Sequence, residues 1–255
     1  MNKSSARTME ILTYLSDCHT NGAGISDISR KLNIPKSCVS DIAYTMLAYN
    51  FLQYANEDLK TFKLGVKALQ IGITSLNNLN ILQVSKQYLS ALNKSTNMTA
   101  LLAIENNDQV IYIDKIEDNV PYRVSIDIGD VKPMHLTGVG KAILAAYSNN
   151  DIMQKLGDGC YISHTPKSIS TYYSLINILE TVRNKGYAIE NFEENKYIFG
   201  IAAPVFDRNN KICGAIEIAM IQTDYEKSDM DAITASVIST AGEISKILGS
   251  NKNKY

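Results

Sequence analysis

SDISRKLNIPKSCVSDIAYTMLAYN, residues 26–50, reads as two short helices joined by a turn. In the second helix Val39, Ile42, Ala43 and Met46 recur at i, i+3, i+4 and i+7, so one apolar stripe faces a small core. The other face carries Lys36, Ser37, Ser40, Asp41, Tyr44 and Thr45, with Ser26 at the head of the first helix. Short or planar polar groups of this kind reach base edges and phosphates when a helix enters the major groove. Asn33, Ile34 and Pro35 separate the helices, and proline is tolerated where a helix begins but not inside one. Two readings fit these residues, a DNA-reading helix pair and a plain helical hairpin in a globular core.

The flanks favour the first. Ile11, Leu12, Leu15 and Cys18 share a helical face, so another helix precedes the pair. Downstream, Phe51, Gln53 and Tyr54, then Phe62 and Leu64, flank the polar turn of Asn56, Glu57, Asp58 and Lys60, as in a two-stranded ribbon. Three helices and a ribbon make a winged helix-turn-helix over residues 1–65, with Lys60 and Lys63 placed to meet phosphate. The chain of 255 residues has a net charge of -1, but residues 1–67 hold eight Lys and Arg against six Asp and Glu. Any nucleic-acid contact therefore depends on a local patch.

Residues 66–92 read as one linker helix, whose apolar Leu69, Ile73, Leu76 and Leu79 are free either to pair with a second copy or to pack on their own domain. From residue 93 the pattern turns to strands at 98–104, 109–116, 122–128, 198–206 and 211–220. Helices are expected from about Gly140 to Tyr147, from Asn149, from Ser168 to Lys185 and from Glu226 to Leu248. Strand runs separated by helices make residues 93–255 an α+β domain on an antiparallel sheet. Cys18, Cys38, Cys160 and Cys213 lie far apart, as do His19, His135 and His164, so neither a metal site nor a cofactor is expected. The first residues lack a signal peptide's apolar core and no apolar run is long enough to span a bilayer, so a cytoplasmic, membrane-free protein is expected.

GYAIENFEENKYIFGIAAPVFD at 186–207, VIYIDKIE at 110–117, PMHLTGVGKAILA at 133–145 and the Ile34-Pro35-Lys36-Ser37 helix entry together resemble the IclR family of bacterial transcriptional regulators over nearly the whole chain. The resemblance implies an N-terminal winged helix that binds operator DNA, a linker helix and a GAF-like (profilin-like) effector domain, assembled as a homodimer or a dimer of dimers. A ligand-responsive regulator, expected to act as a repressor, would bind a pseudo-palindromic operator through two such heads. Asp41 departs from the arginine usual in the family; a carboxylate is repelled by phosphate but accepts from a cytosine amino group.

Carried over residue by residue, the small-molecule effector would touch Gly138, Val139, Glu190, Gly200, Glu217 and Ala219. Relatives commonly have aspartate or serine, cysteine, serine and serine at the last four of these. Loop N–H groups at a helix start suit a carboxylate or phosphate, whereas a Glu217 facing the cavity would repel a simple acid and favour hydroxyl or amine donors. The competing reading pairs Glu217 with a nearby Lys or Arg.

Two rival functions are weighed. An enzyme is disfavoured: GVGK at 138–141 resembles a phosphate loop, but His135 stands where glycine is needed and Ala142 where Ser or Thr is needed. Cys160 with His164 as nucleophile and base is a chance pairing in a glycine-rich loop. The second rival is a winged helix that has lost its operator and acts through protein partners, a reading kept open by Asp41 and the small positive surplus.

Overall fold

The structure is a computed structural model that describes residues 2–18, 22–77, 80–117, 124–159 and 161–252. It divides into two compact units, Met1–Asn78 and Leu79–Tyr255. That split falls inside the stretch read as a linker.

The first unit holds α1 (Lys3–Asp17), β1 (Ala23–Gly24), α2 (Ile25–Leu32), α3 (Lys36–Ala48), β2 (Leu52–Asn56), β3 (Thr61–Leu64) and α4 (Val66–Asn77). Ile11 and Leu15 of α1, Ile28 of α2, the four stripe residues of α3, Leu52 and Phe62 are all buried in one core. Between α2 and α3 the chain turns at Asn33, whose φ of 54° ends α2 in the left-handed region; Ser29 Oγ fixes the turn by donating to Ile34 O at 2.7 Å. Pro35 caps α3, consistent with its fixed φ. The wing has one strand more than the expected two: β1 pairs with β3, giving the order β1-β3-β2. A two-residue strand after Gly22 has too few side chains to show an alternation in sequence.

The second unit holds α5 (Asn80–Thr96), β4 (Thr99–Asn106), β5 (Gln109–Ile116), β6 (Val131–Pro133), α6 (Gly138–Leu144), α7 (Asn149–Leu156), α8 (Tyr172–Lys185), β7 (Ala188–Asn191), β8 (Ile198–Phe206), β9 (Ile212–Ile221), α9 (Gln222–Tyr225) and α10 (Met230–Ile247). The continuous helix expected over 66–92 is thus described as α4 and α5, and Leu79 lies outside the described residues. Six antiparallel strands run in the order β6-β5-β4-β9-β8-β7. Strand side chains alternate between the faces. Ile216 and Ile218 lie on the side packed by α5 and α10, while Leu101, Ala103, Ala202, Ala215 and Ala219 share a core with Val139 and Ala142 of α6 and Leu175 and Leu179 of α8.

The strand expected at 122–128 is absent where described, 122 and 123 lying outside the described residues. Val124 and Ile126 are buried while Ser125 and Asp127 are exposed, so the alternation is present without the ladder. Ile126 N–H bonds to Val124 O, and the neighbouring bonds go to β5 singly, from Tyr112 N–H to Asp130 O and from Gly129 N–H to Tyr112 O. The edge of β5 is instead paired by β6. The helix expected from Gly140 starts at Gly138. The one expected from Ser168 starts at Tyr172, because Ser168 Oγ donates to Glu193 O at 2.7 Å instead of entering a helix. The terminal helix begins at Met230, capped by Asp229, and α9 stands apart as a single turn. The turn at 118–119, His19, Cys160 and the final three residues lie outside the described residues. Among the described residues no helix is long and apolar enough to cross a membrane.

Candidate functional site

The polar face of α3 stands clear of the first unit's core: Lys36, Ser37, Asp41, Tyr44 and Thr45 are exposed and Ser40 is half-buried. Thr45 Oγ1 donates to Asp41 O at 2.7 Å, and the Tyr44 ring meets Phe62 edge-on with centroids 6.0 Å apart. Tyr44 therefore has a packing role as well as an exposed one. Ser26 is exposed at the start of α2, Lys60 is exposed in the wing turn at φ 48°, and Lys63 on β3 is half-buried. Sequence reading passed over Arg30 and Lys31, exposed cations in the last turn of α2; Arg30 makes a 3.4 Å ion pair with Asp27.

In the second unit every residue of α6 is buried, Lys141 included. Thr137 caps the helix by accepting from Gly140 N–H at 3.1 Å. Thr137→Ala is expected to cost about 1 kcal/mol of stability, read as a lower urea midpoint with an unchanged slope.

Lys141 Nζ reaches Glu193 Oε2 at 2.5 Å, with the lysine side chain fully buried and the glutamate nearly so. Glu193 follows β7 in a turn where Phe192 takes a φ of 60°, and Thr165 Oγ1 and Ser168 Oγ both donate to Glu193 O. Glu217, fully buried on β9, pairs across the sheet with Ala202 on one side and Leu101 on the other. Tyr112 O–H donates to its Oε2 at 3.4 Å, while Oε1 has no hydrogen-bond partner among the described residues.

A Cβ at either Gly138 or Gly200 would run into Glu217 Oε1, so glycine at both positions is what leaves room for the carboxyl. Glu190, opposite Gly200 on β7, is also buried. Burial pushes the Glu217 carboxyl up to about 8, against the pull of Lys141 and the Tyr112 hydroxyl. Burial first, and the neighbouring Glu217 second, hold Glu190 well above the usual carboxylate range. The Tyr112 phenol is raised by burial and then by Glu217.

Four of the six positions carried over for the effector, Gly138, Glu190, Gly200 and Glu217, thus converge. Val139 and Ala219 belong to the apolar core alongside. No Lys or Arg among the described residues forms an ion pair with Glu217, because Lys141 is engaged by Glu193. Neither Lys141 nor Tyr112 was singled out as a site residue from sequence; the GKA motif after the glycine loop was the available signal for Lys141. An open cleft of about 440 Å³ lies at His164, Thr165, Glu194 and Lys196, and none of the six positions lines it. His164 Nδ1 there stands 3.6 Å from Glu194 Oε1.

Residues 73–246 match the family model described as bacterial transcriptional regulator IclR C-terminal. The chain is 26% identical over 226 residues to the HTH-type transcriptional regulator KdgR of Escherichia coli K12, covering 89% of this chain and 86% of that protein. It is 25% identical over 243 residues to the HTH-type transcriptional repressor AllR of the same organism, covering 95% and 89%. A solved IclR transcriptional regulator from Alicyclobacillus acidocaldarius has the same fold, with a TM-score of 0.85, 22% identity and coverage of 98% of this chain and 100% of that one.

Proposed function

This chain belongs to the IclR family of bacterial transcriptional regulators, and from that premise we propose that it binds a pseudo-palindromic operator as a homodimer and is released by a small effector held in its GAF-like unit. The curated relatives it matches are named as HTH-type transcriptional regulators and repressors, so it is read as a regulator and not an enzyme. The observation that carries the reading is α3: its apolar stripe is buried and its polar face is exposed. Residues 1–65 would read DNA, 66–92 would link and 93–255 would sense, all in the cytoplasm. Val66, Leu69 and Ile73 recur on one side of α4 and stand exposed on the single chain, which supports self-association through that helix.

Ligand acts here by favouring one dimer geometry over another, which requires that it bind the two with different affinity. Selection of bound duplexes from a randomised pool, at two salt concentrations, tests the reading; a two-fold symmetric site is the expected result. Lys36→Ala should weaken binding to that site and lower the slope of log affinity against log salt by about one, as for a lost phosphate contact. Recovery of no motif at either salt would transfer the function to a protein partner.

A further inference from the structure

We propose that Glu217 and Glu190 form a seat for a small organic cation, whose ammonium or amidinium group donates to Glu217 Oε1 between Gly138 and Gly200; this rests on reading the second unit as the effector-sensing domain. Glu217 is fully buried, yet Oε1 has no donor among the described residues and is flanked by two glycines. Buried polar atoms are otherwise almost always hydrogen-bonded, so an oxygen held this way marks the place of a missing partner.

The charges around it give the partner's sign. Tyr112 on β5 faces Oε2, Lys141 on α6 lies beside the pair, Glu190 comes from β7, and Glu193 and Glu194 follow that strand. Lys141 is taken by Glu193 at 2.5 Å, and Glu194 is met by Lys132 at 2.9 Å. Glu190 and Glu217 are left as a carboxyl pair with no cation of their own in an ion pair among the described residues. An incoming acid would be repelled by this pair. A neutral polyol would leave both groups protonated, each needing an acceptor for its own O–H. An ammonium supplies donors and charge together, so Glu217 ionises as it enters and the proton it held passes to solvent.

The test uses the full chain with ethanolamine and putrescine as probes and xylitol and pyruvate as comparators. Melting shifts are read together with titration calorimetry in two buffers of different ionisation enthalpy. The amines are expected to raise Tm, to bind more tightly as pH goes from about 6 to about 8, and to expel about one proton each. Glu217→Gln should weaken the amines on the order of a hundredfold and abolish the proton release, and Glu190→Gln should weaken them also.

Binding of pyruvate or xylitol in place of the amines, lost in Glu217→Gln, would keep the site and overturn the ligand class. Amine binding unaffected by either substitution would place the cation elsewhere and overturn the proposal. Silence from every probe would overturn both the proposal and the reading of this carboxyl pair as the sensing site.

Discussion

Lys141→Met is expected to lower the stability of the second unit by about 3–5 kcal/mol, the usual cost of leaving a buried charge without its partner. Lys141 is completely buried and its ammonium meets Glu193 at 2.5 Å. Methionine fills a similar volume, so little of the loss would come from packing. Glu193, held in place by the hydroxyls that bond its backbone carbonyl, would be left near Glu190 without the ammonium it pairs with. One signature separates this cause from general damage to the fold. Adding Glu193→Gln should recover part of the loss, because the two sites share one interaction. Urea unfolding of the single and double variants measures it, and a single variant within about 1 kcal/mol of the parent would show that the pair does not hold the domain together.

The second large effect concerns pH. Glu217 has a folded-state value of about 8 against an unfolded value near 4.5. The folded state thus keeps a proton that the unfolded state releases. Its contribution is complete below the unfolded value, falls by about 1 kcal/mol per pH unit between the two, and is fully lost above about 8. Glu190 is displaced in the same direction, and the two carboxyls titrate as a pair. The ligand-free protein should therefore grow less stable from about pH 5 to about pH 8. Glu217→Gln removes one titration while keeping an acceptor for the Tyr112 hydroxyl. It should flatten the profile and gain about 2–3 kcal/mol at neutral pH. Parallel profiles for parent and variant, from urea midpoints along that range, would contradict the burial argument.

Periodicity made the first unit legible because a helix with one buried face records that face in its spacing. Val39, Ile42, Ala43 and Met46 are buried together as their positions require. In the second unit the same logic found the long strands β4, β5, β8 and β9 but missed the short edges. β6 has three residues and β7 has four, too few to establish a period before a turn intervenes. At 124–127 alternation correctly marked the buried side chains but not where the backbone hydrogen bonds go, and the two are separate properties of a chain.

The site was partly legible. Gly138, Glu190, Gly200 and Glu217 could be carried over by resemblance, and the structure brings them together. Lys141 and Glu193 could not be read as a buried pair, because a lysine after a glycine loop and a glutamate within Glu193-Glu194-Asn195-Lys196 both look solvated in sequence. Only the return of β7 beneath α6 takes them out of water.

The central strands of the large sheet add a consequence for how the protein is made. β4 lies between β5 and β9, and Leu101, paired with Lys115 on one side, meets Glu217 on the other, a residue made more than a hundred positions later. A ribosome works from the N-terminus at roughly 5–20 residues per second. The first unit, whose sheet and helices close within residues 1–78, can be complete while the larger second unit is still being synthesised. The β4–β5 hairpin must then wait with one edge unpaired, and that edge is where a nascent chain is open to pairing with a stranger. Each newly made molecule thus has its helix-turn-helix unit before the sheet of its second unit can close.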